Sequence, residues 1–335
     1  MKHFHYIKVA FAFLLFSCSA VTTASAQDQL DVILEAGIED AELLTKNYMK
    51  PFAKGFGYSI NNGWFHTAKP HKTLGFDLIV TANVAMVPQR DQYFTFVNSE
   101  YNNILVAEGQ SKELPTVFGP AEPGPELTVF DDNGDEVVRI SSPQGSGLKD
   151  EIGYNVVPTP MVQLGLGIAK GTDIKIRYVP TIDYGDGDFS LIGFGVMHDV
   201  KQWIPGIKEM PFDLSAMIGY TKMTTTVNID KDLDQTGSWV TKGLTFNGII
   251  SKKLSVFTFY GSLGFNTIST NIDVLGEYEI NDETTLVDPL QLEFKNSSPK
   301  MTFGMNMKLG PLLFYGDYSV NDYSMLTAGL GFSIR

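Results

Sequence analysis

Two histidines lie close together in the sequence and are the first residues to consider for metal chemistry. His66 and His71 are five positions apart, in a segment rich in glycine and asparagine. Zinc sites usually combine imidazole with cysteine or carboxylate ligands at short, regular spacings. No cysteine or carboxylate accompanies these histidines at such a spacing. The sequence therefore predicts no metal site, and no cofactor is expected.

Two groups of acidic residues are candidates for calcium binding, because carboxylate oxygens are the usual ligands of that ion. The first group is the stretch 131–135, and the second comprises Asp183, Asp186 and Asp188. Neither group has the spacing of a helix–loop–helix calcium site with its terminal glutamate. Asn133-Gly134 between two apolar runs is typical of a β-hairpin turn. Both groups are predicted to be solvated turns.

A hydrolytic enzyme needs a nucleophile and a base within hydrogen-bonding distance of each other. His198 is the only histidine on a predicted strand, and it lies at the end of that strand. No constellation of serine, histidine and acid is evident around it. The chain is predicted not to be an enzyme, and an outer-membrane lipid-modifying enzyme is kept as an alternative.

Charged side chains also occur at every second position of one predicted hairpin, residues 160–180. In its second strand Asp173, Lys175 and Arg177 share one face, and Ile174 and Ile176 share the other. Alternate side chains of a strand point to opposite faces. A soluble sandwich turns its apolar face inward, whereas a transmembrane barrel turns it toward lipid. The hairpin alone is compatible with both.

The elements that would position these charges recur along the chain. Segments with alternating apolar and polar residues follow one another, and from residue 160 onward each has about nine to eleven residues, the length of a tilted membrane strand. They are 74–87, 93–97, 127–140, 161–169, 172–180, 189–198, 212–223, 240–250, 254–266, 301–309, 312–320 and 325–335. Short turns alternate with longer acidic loops at 181–188, 224–239 and 268–299, as in outer-membrane barrels. The prediction is an all-β fold, an antiparallel transmembrane barrel of about 12–14 strands, the larger number including a pair within 272–294.

The N-terminus has the pattern of a secretory signal peptide. Lys2 and Lys8 flank a basic start, residues 9–16 form a short apolar run, and 24–26 is a small-residue cleavage site. Cys18, the only cysteine, is either part of a lipoprotein-like box or is lost on cleavage, and the cleavage site favours loss. The formal charge of −13 argues against nucleic-acid binding, which requires a basic surface.

One amphipathic helix is predicted before the strands, over residues 28–54, with Pro51 limiting its far end. Its function is either to obstruct a barrel as a plug or hatch, or merely to bury its apolar stripe. The predicted plug residues are Leu34, Ile38, Leu44, Tyr48, Phe52 and Trp64. The predicted lumen or ligand-path residues are Asp77, Asn83, Gln163, Asp173, Lys175, Arg177 and Asp213. The alternative role of the latter is to fill the lumen with compensating charges.

Several motifs resemble those of an uncharacterised family of gram-negative outer-membrane β-barrel proteins, distantly similar to FadL-type hydrophobic-compound transporters. They are Tyr48-Met49-Lys50-Pro51, the stretch 57–64, the stretch 67–72 entering the first strand, and Gln202-Trp203-Ile204-Pro205-Gly206. The resemblance covers nearly the whole mature chain. The FadL-type similarity implies an N-terminal hatch and diffusion of apolar ligands.

These observations together predict a signal peptide over 1–26, a helix and plug segment over 27–72, and a barrel with acidic extracellular loops over 73–335. The predicted location is the outer membrane. The predicted function is a channel or transporter for small molecules, gated by the plug, with hydrophobic molecules as one candidate class of cargo. The alternatives are a structural or surface-interaction barrel and an exported soluble β-protein. The expected partners are outer-membrane lipid, a small hydrophobic ligand and the barrel assembly machinery.

Overall fold

Ten antiparallel strands form a closed barrel in the computed structural model, which describes residues 36–131, 133–183, 185, 187–230, 233–281 and 284–334. Barrel strands are β1 (Phe76–Met86), β7 (Val156–Gly167), β8 (Thr172–Asp183), β9 (Gly187–Asp199), β10 (Asp213–Asp230), β11 (Gln235–Leu254), β12 (Phe257–Leu275), β15 (Leu290–Leu309), β16 (Leu312–Val320) and β17 (Met325–Ile334). β1 closes the barrel by pairing with both β7 and β17. The predicted signal peptide and Leu34 lie outside the described residues.

The apolar face of each barrel strand points outward. In β1, Leu78 and Val80 are 46% and 49% exposed, whereas Asp77 and Asn83 are fully buried. The same alternation continues around the barrel, as in β8 with Ile176 outside. A soluble sandwich would bury these apolar side chains. The outward apolar face predicted from the sequence is therefore present.

The two ends of the barrel differ in their connections. At the short-turn end, tight turns join β7 to β8, β11 to β12 and β15 to β16. At the long-loop end, residues 87–155 and 276–289 connect strands. β11 and β15 are each 20 residues long, about twice the length that a tilted strand needs to cross a bilayer. Most of the loops predicted at 224–239 and 268–299 are therefore strand, projecting beyond a membrane-sized band.

The predicted count of about 12–14 barrel strands is wrong, because several short strands pair with one another and not with the barrel. They are β2 (Tyr93–Thr95), β3 (Ile104–Val106), β4 (Glu113–Pro115), β5 (Glu126–Phe130), β6 (Glu136–Ser141), β13 (Glu277–Asn281) and β14 (Thr284–Val287). β2 pairs with β4, and β3, β5 and β6 form a three-stranded sheet. The hairpin predicted at Asn133-Gly134 is present as β5–β6, and the hairpin within 272–294 is present as β13–β14, but both lie outside the barrel.

The N-terminal helix α1 spans Ile38–Ile60, and a short helix α2 spans Leu148–Ile152. α1 contacts β1, β7, β11, β12 and β15 from inside the barrel. Pro51 lies within α1 and does not end it. Proline removes one helical hydrogen bond, but burial of the following turns against the barrel wall offsets that loss. Among the described residues, no helix is both long and apolar enough to cross a membrane.

A charge on the outer face should disturb assembly in a membrane. Leu164 in β7 is 41% exposed and faces outward. Leu164→Arg is expected to destabilise the folded barrel by about 2–4 kcal/mol if the residue lies near the bilayer midplane. The measurement is the folded fraction in lipid vesicles, read from heat-modifiable gel mobility.

The matched control for this substitution is Val137→Arg. Val137 is also an exposed apolar residue on a strand, at 47%, but β6 lies outside the barrel. Surface substitutions away from special features usually change stability by about 0.5 kcal/mol or less. Equal folding of the two variants in lipid would contradict the assignment of a lipid-facing surface.

Candidate functional site: the lumen and the segment inside it

Residues 61–72, called the lumen segment below, pass down the inside of the barrel from the end of α1 to the start of β1. The chain descends beside β15: Tyr58 donates to Asn296 at 2.6 Å, and the backbone of His66 accepts from Asn306 further down. Glu42, near the start of α1, accepts from the backbone of Gln291 at the upper end of β15. α1 therefore begins at the long-loop end, and the lumen segment leaves at the short-turn end.

Aromatic and aliphatic side chains pack around α1 in the half of the barrel nearest the long-loop end. Phe52 lies edge-on to Trp239 with ring centroids 4.7 Å apart, and Leu44 packs in a cluster with Phe96 from the long connection. Tyr48 donates its hydroxyl to Gln144 O at 2.9 Å. Burial raises the pKa of Tyr48 to about 12, so this hydroxyl stays protonated and able to donate. α1 thus joins the long connection to the barrel wall.

Asparagines at the end of α1 connect the lumen segment to several strands at once. The Asn61 amide donates to the carbonyls of Leu244 and Thr267 at 3.2 and 3.3 Å. The Asn62 amide donates to Thr327 at 2.7 Å and accepts from Lys300 Nζ at 3.3 Å. Two neighbouring residues therefore bridge four strands, β11, β12, β15 and β17, along one half of the barrel.

Arg177 holds the end of α1 from the opposite wall. The residue is fully buried, and its guanidinium donates to the carbonyls of Ile60 at 2.8 Å and Asn62 at 2.6 Å. The Nε atom donates to Gln163 Oε1 at 3.0 Å. A cation near the C-terminus of a helix also interacts favourably with the unpaired carbonyls there. Arg177 is therefore a cap for the helix supplied by the barrel.

Trp64 fills the middle of the lumen. The guanidinium carbon of Arg177 lies 3.7 Å from the centroid of its ring, close enough for a cation–π interaction. The far edge of the indole lies against Gly195 and Gly219, where an added Cβ would come within 2.8 and 2.6 Å of ring atoms. These glycines leave the space that the ring occupies, since no other side chain would fit.

Two histidines and two aspartates come together near the short-turn end. His66 Nε2 lies 3.0 Å from Asp77 Oδ2, and His71 Nδ1 lies 2.9 Å from Asp173 Oδ2. The backbone N–H of His71 also donates to Asp173 at 2.8 Å. Both histidines belong to the lumen segment and both aspartates to the wall, so polar contacts join the two. Within the described ranges, no group of three or more histidine, cysteine or acidic side chains could hold a metal ion.

The predicted lumen residues mostly come together around this segment. Asp77, Asn83, Gln163, Asp173, Lys175 and Arg177 all face inward and are at most 2% exposed. Asp213 is half-buried at the first residue of β10, and among the described residues no hydrogen bond joins it to the lumen segment. The predicted ligand path is thus lined largely by side chains that bind the chain's own N-terminal part.

Most of the predicted plug residues are buried or half-buried, and one is exposed. Leu44 and Trp64 are buried, and Tyr48 and Phe52 are half-buried. Ile38 is 42% exposed at the start of α1, at the long-loop end, so its predicted place inside the barrel is wrong. The helix was predicted over 28–54; its described part begins at Ile38 and continues six residues further, to Ile60.

Several residues of the site were not predicted, among them Lys300, Tyr315 and the two glycines under Trp64. Lys300 lay at the edge of a predicted loop, although its position in the alternating pattern of Met301 and Thr302 marks it as inward-facing. Tyr315 donates to Gly63 O at 3.4 Å and contacts Thr81 at 2.8 Å. Tyr315 alternates on β16 with apolar residues that face outward, so the sequence pattern also marks it as inward-facing.

The fold and the lumen define a closed antiparallel β-barrel with an apolar outer surface and its own N-terminal segment inside. The chain belongs to a family of unknown function, DUF6588, whose model matches residues 1–334. The predicted resemblance to an uncharacterised barrel family is confirmed to that extent, and the distant similarity to FadL-type transporters stays a prediction. No curated protein matches the sequence.

Solved structures similar to this chain are outer-membrane barrels. The translocator domain of autotransporter NalP from Neisseria meningitidis has a TM-score of 0.29 at 10% identity, covering 89% of this chain and 98% of that one. The transport unit of autotransporter AIDA-I from Escherichia coli has a TM-score of 0.32 at 10% identity, covering 84% and 99%. The outer membrane channel DcaP of Acinetobacter baumannii has a TM-score of 0.16 at 9% identity, covering 79% and 100%. These TM-scores are low, so function is inferred below from the chain's own geometry.

Proposed function

We propose that this protein is an outer-membrane channel or transporter for small molecules, closed by residues 38–72 acting as a plug. The observation that carries the proposal is the lumen segment, which passes through the barrel and is held by buried polar side chains of the wall. Hydrogen bonds such as those of Arg177 and Asn83 to the backbone of residues 59–62 can be exchanged for water. A purely apolar core has no hydrogen bonds to exchange for water, so its release would cost more free energy.

The orientation of the barrel follows from its two ends. Outer-membrane barrels have short periplasmic turns and longer extracellular loops, which supports a periplasmic position for the short-turn end. The start of α1 then lies at the extracellular mouth, and the lumen segment runs toward the periplasm before β1 begins. This location requires a signal peptide for export. Its partners would be the barrel assembly machinery and outer-membrane lipid.

A permanently filled barrel is the second candidate, with a structural or surface-interaction role. It is favoured by the long connection, in which β2–β6 form two small sheets that pack on α1 through residues such as Phe96 and Leu114. Such a layer at the extracellular mouth is a surface available to other molecules. Neither candidate function requires catalysis: His198 contacts Thr172 at 2.8 Å and Trp203 at 2.8 Å, and we propose no enzymatic role for it.

A reversible cross-link between plug and wall separates the two candidates. An added Cβ on Gly55 in α1 would lie 3.4 Å from the Cβ of Val157 in β7, close to the distance of about 3.5–4.5 Å found in disulfides. Gly55→Cys with Val157→Cys is expected to form a disulfide that holds the barrel closed. Conductance openings in planar bilayers should disappear on oxidation and return on reduction.

The control for the cross-link is Val157→Cys alone, treated with the same oxidant and reductant. Cys18 is the only natural cysteine and lies in the predicted signal peptide, so no competing disulfide is expected in the mature chain. The single variant should give the same openings in both conditions. If the double variant also conducts equally when oxidised and reduced, α1 does not move and the permanently filled barrel is the correct description.

A further inference from the structure

A cleft of about 390 Å³ lies between α1 and the inner wall formed by β12 and β15. Its apolar part is made by Leu43 and Ala53 of the helix and by Ile268 and Phe294 of the wall. Ligand sites for small molecules generally occupy about 300–1,000 Å³ and combine an apolar lining with a few polar groups. The size and lining of this cleft fall within that description.

The charged groups that α1 brings to the cleft are three lysines at four-residue spacing, Lys46, Lys50 and Lys54, beside the amides of Asn47 and Asn296. Residues four apart on a helix lie on the same face, and like charges at that spacing destabilise the helix. Basic residues near the C-terminus of a helix interact favourably with its dipole. α1 continues to Ile60 and its last turn contains no basic residue, so the dipole does not account for them.

Two of the three lysines are free to bind an anion. Lys54 is paired with Asp322 at 2.6 Å and lies 5.1 Å from the ring centroid of Tyr323. Lys46 and Lys50 are exposed, and among the residues that the structure describes, no carboxylate lies within ion-pair distance of either. Glu293 borders the cleft, but its side chain pairs with Lys295 at 2.7 Å on an outward-facing part of β15. The cleft is therefore a basic site in a chain of charge −13.

The route into the cleft limits the source of its ligand. β12 and β15 are paired without a register break from Phe257–Met307 to Val274–Leu290. The wall beside the cleft thus offers no lateral opening to lipid. Lys46 and Lys50, the exposed residues, lie toward the long-loop end, so a ligand enters from the aqueous phase at that mouth.

We infer that this cleft binds a small amphipathic organic anion, with its carboxylate or similar acidic group on Lys46 and Lys50 and its apolar body on Ile268 and Phe294. An inorganic anion would leave the apolar wall without contacts. A neutral apolar molecule would leave two adjacent lysines uncompensated. The inference deepens the proposed function, because the ligand would lie between the plug and the wall. It rests on that function in one respect: the ligand is a transported molecule only if the plug moves.

The test is calorimetric titration of the full mature protein in non-ionic detergent with three probes: 1-naphthoate, 1-naphthalenemethanol and acetate. Only 1-naphthoate combines the acidic group with the apolar body, and its binding is expected to exceed that of the other two at least about tenfold. The double variant Lys46→Gln/Lys50→Gln should lose about tenfold in affinity for it. Added salt should weaken binding to the natural protein, because the two lysines are exposed.

The matched control is Lys252→Gln, which removes an exposed lysine of β11 near the short-turn end that does not line the cleft. It should bind 1-naphthoate as the natural protein does. Equal binding of 1-naphthoate by the natural protein and the Lys46/Lys50 variant would overturn the inference, as would preference for the neutral alcohol. Because binding is measured without conductance, its failure would leave the cross-linking result, and with it the proposed plug, untouched.

Discussion

Deletion of residues 28–65 is expected to turn a closed barrel into a pore that conducts continuously. The deletion removes α1 and Trp64, and with them the side chains that bridge opposite walls. The wall facing the vacated space carries glycine at 195 and 219 and charged groups such as Lys300, so water and ions would fill it. Steady open-channel steps in planar bilayers are the expected signal, compared with rare openings of the full mature chain.

Conductance has meaning only if the shortened barrel is folded, which heat-modifiable gel mobility reports. A synthetic peptide of residues 28–65, added to the shortened protein, should reduce the current, whereas a peptide of the same composition in scrambled order should not. Unchanged conductance of a correctly folded deletion variant would show that the lumen segment does not block the path.

The face of each barrel strand was predictable because the alternation of apolar and polar residues has a period of two. Ile174 and Ile176 were expected outside, and Lys175 and Arg177 inside, as found. The contacts that the charged side chains make could not be predicted from the sequence. A sequence shows that Arg177 is inward-facing, but not that the carbonyls of Ile60 and Asn62, more than 100 positions away, are its partners.

The number of barrel strands was not predictable from the same pattern. Residues 127–140 alternate apolar and polar residues like a barrel strand, yet they form β5 and β6, which pair with each other while β5 pairs with β3 in a separate sheet. A short hairpin looks the same locally wherever its third partner lies. Pairing with β3 is a long-range contact that depends on how the whole connection 87–155 folds back on α1.

The end of α1 was misplaced for a similar reason. Pro51 is a strong local signal for the end of a helix, and the glycines that follow, such as Gly55 and Gly57, reinforce it. In the structure these glycines allow the helix to approach the wall closely: an added Cβ would lie 2.8 Å from Val157 at one and 2.6 Å from Ile268 at the other. Tertiary packing therefore overrides local propensity here.

The inward face is also more tightly packed than the alternating pattern suggests. Gln163 would be a natural site for an inward charge in an empty lumen. Its amide instead donates to Trp64 O at 3.2 Å and its oxygen accepts from Arg177. A second arginine there would be buried beside the first without a counter-charge, which is costly. The lumen is a packed interior and not a water-filled lining at this level.

Arg177→Met is expected to release the lumen segment while leaving the barrel folded. The substitution keeps an apolar side chain of some length but removes the donors to Ile60 O and Asn62 O. Asn62 O keeps its bond from Asn83 at 3.3 Å, so the loss falls on Ile60 O, on Gln163 Oε1 and on the contact with the Trp64 ring. An unsatisfied buried carbonyl costs about 1–3 kcal/mol, and a desolvated cation–π contact is worth about 2 kcal/mol.

Together these losses, about 3–5 kcal/mol, should raise the population of the released state by a factor of about 100 or more, since each 1.4 kcal/mol corresponds to a factor of ten. Trp64 is a natural reporter because it is buried and is one of only three tryptophans. In a background with Trp203→Phe and Trp239→Phe, acrylamide should quench Trp64 strongly in the Arg177→Met variant and weakly in the parent. Conductance openings should become more frequent in parallel.

Two further variants test whether the effect is specific to the guanidinium of Arg177. Arg177→Lys keeps the charge but lacks the planar fork that reaches two carbonyls at once, so quenching and openings should be intermediate between parent and Arg177→Met. Arg139→Met removes an arginine that pairs with Glu136 at 2.7 Å on β6, outside the barrel, and should behave as the parent. If Trp64 is equally protected in Arg177→Met and the parent, the segment is held by packing around the indole, and Gly195 and Gly219, not Arg177, are its main anchors.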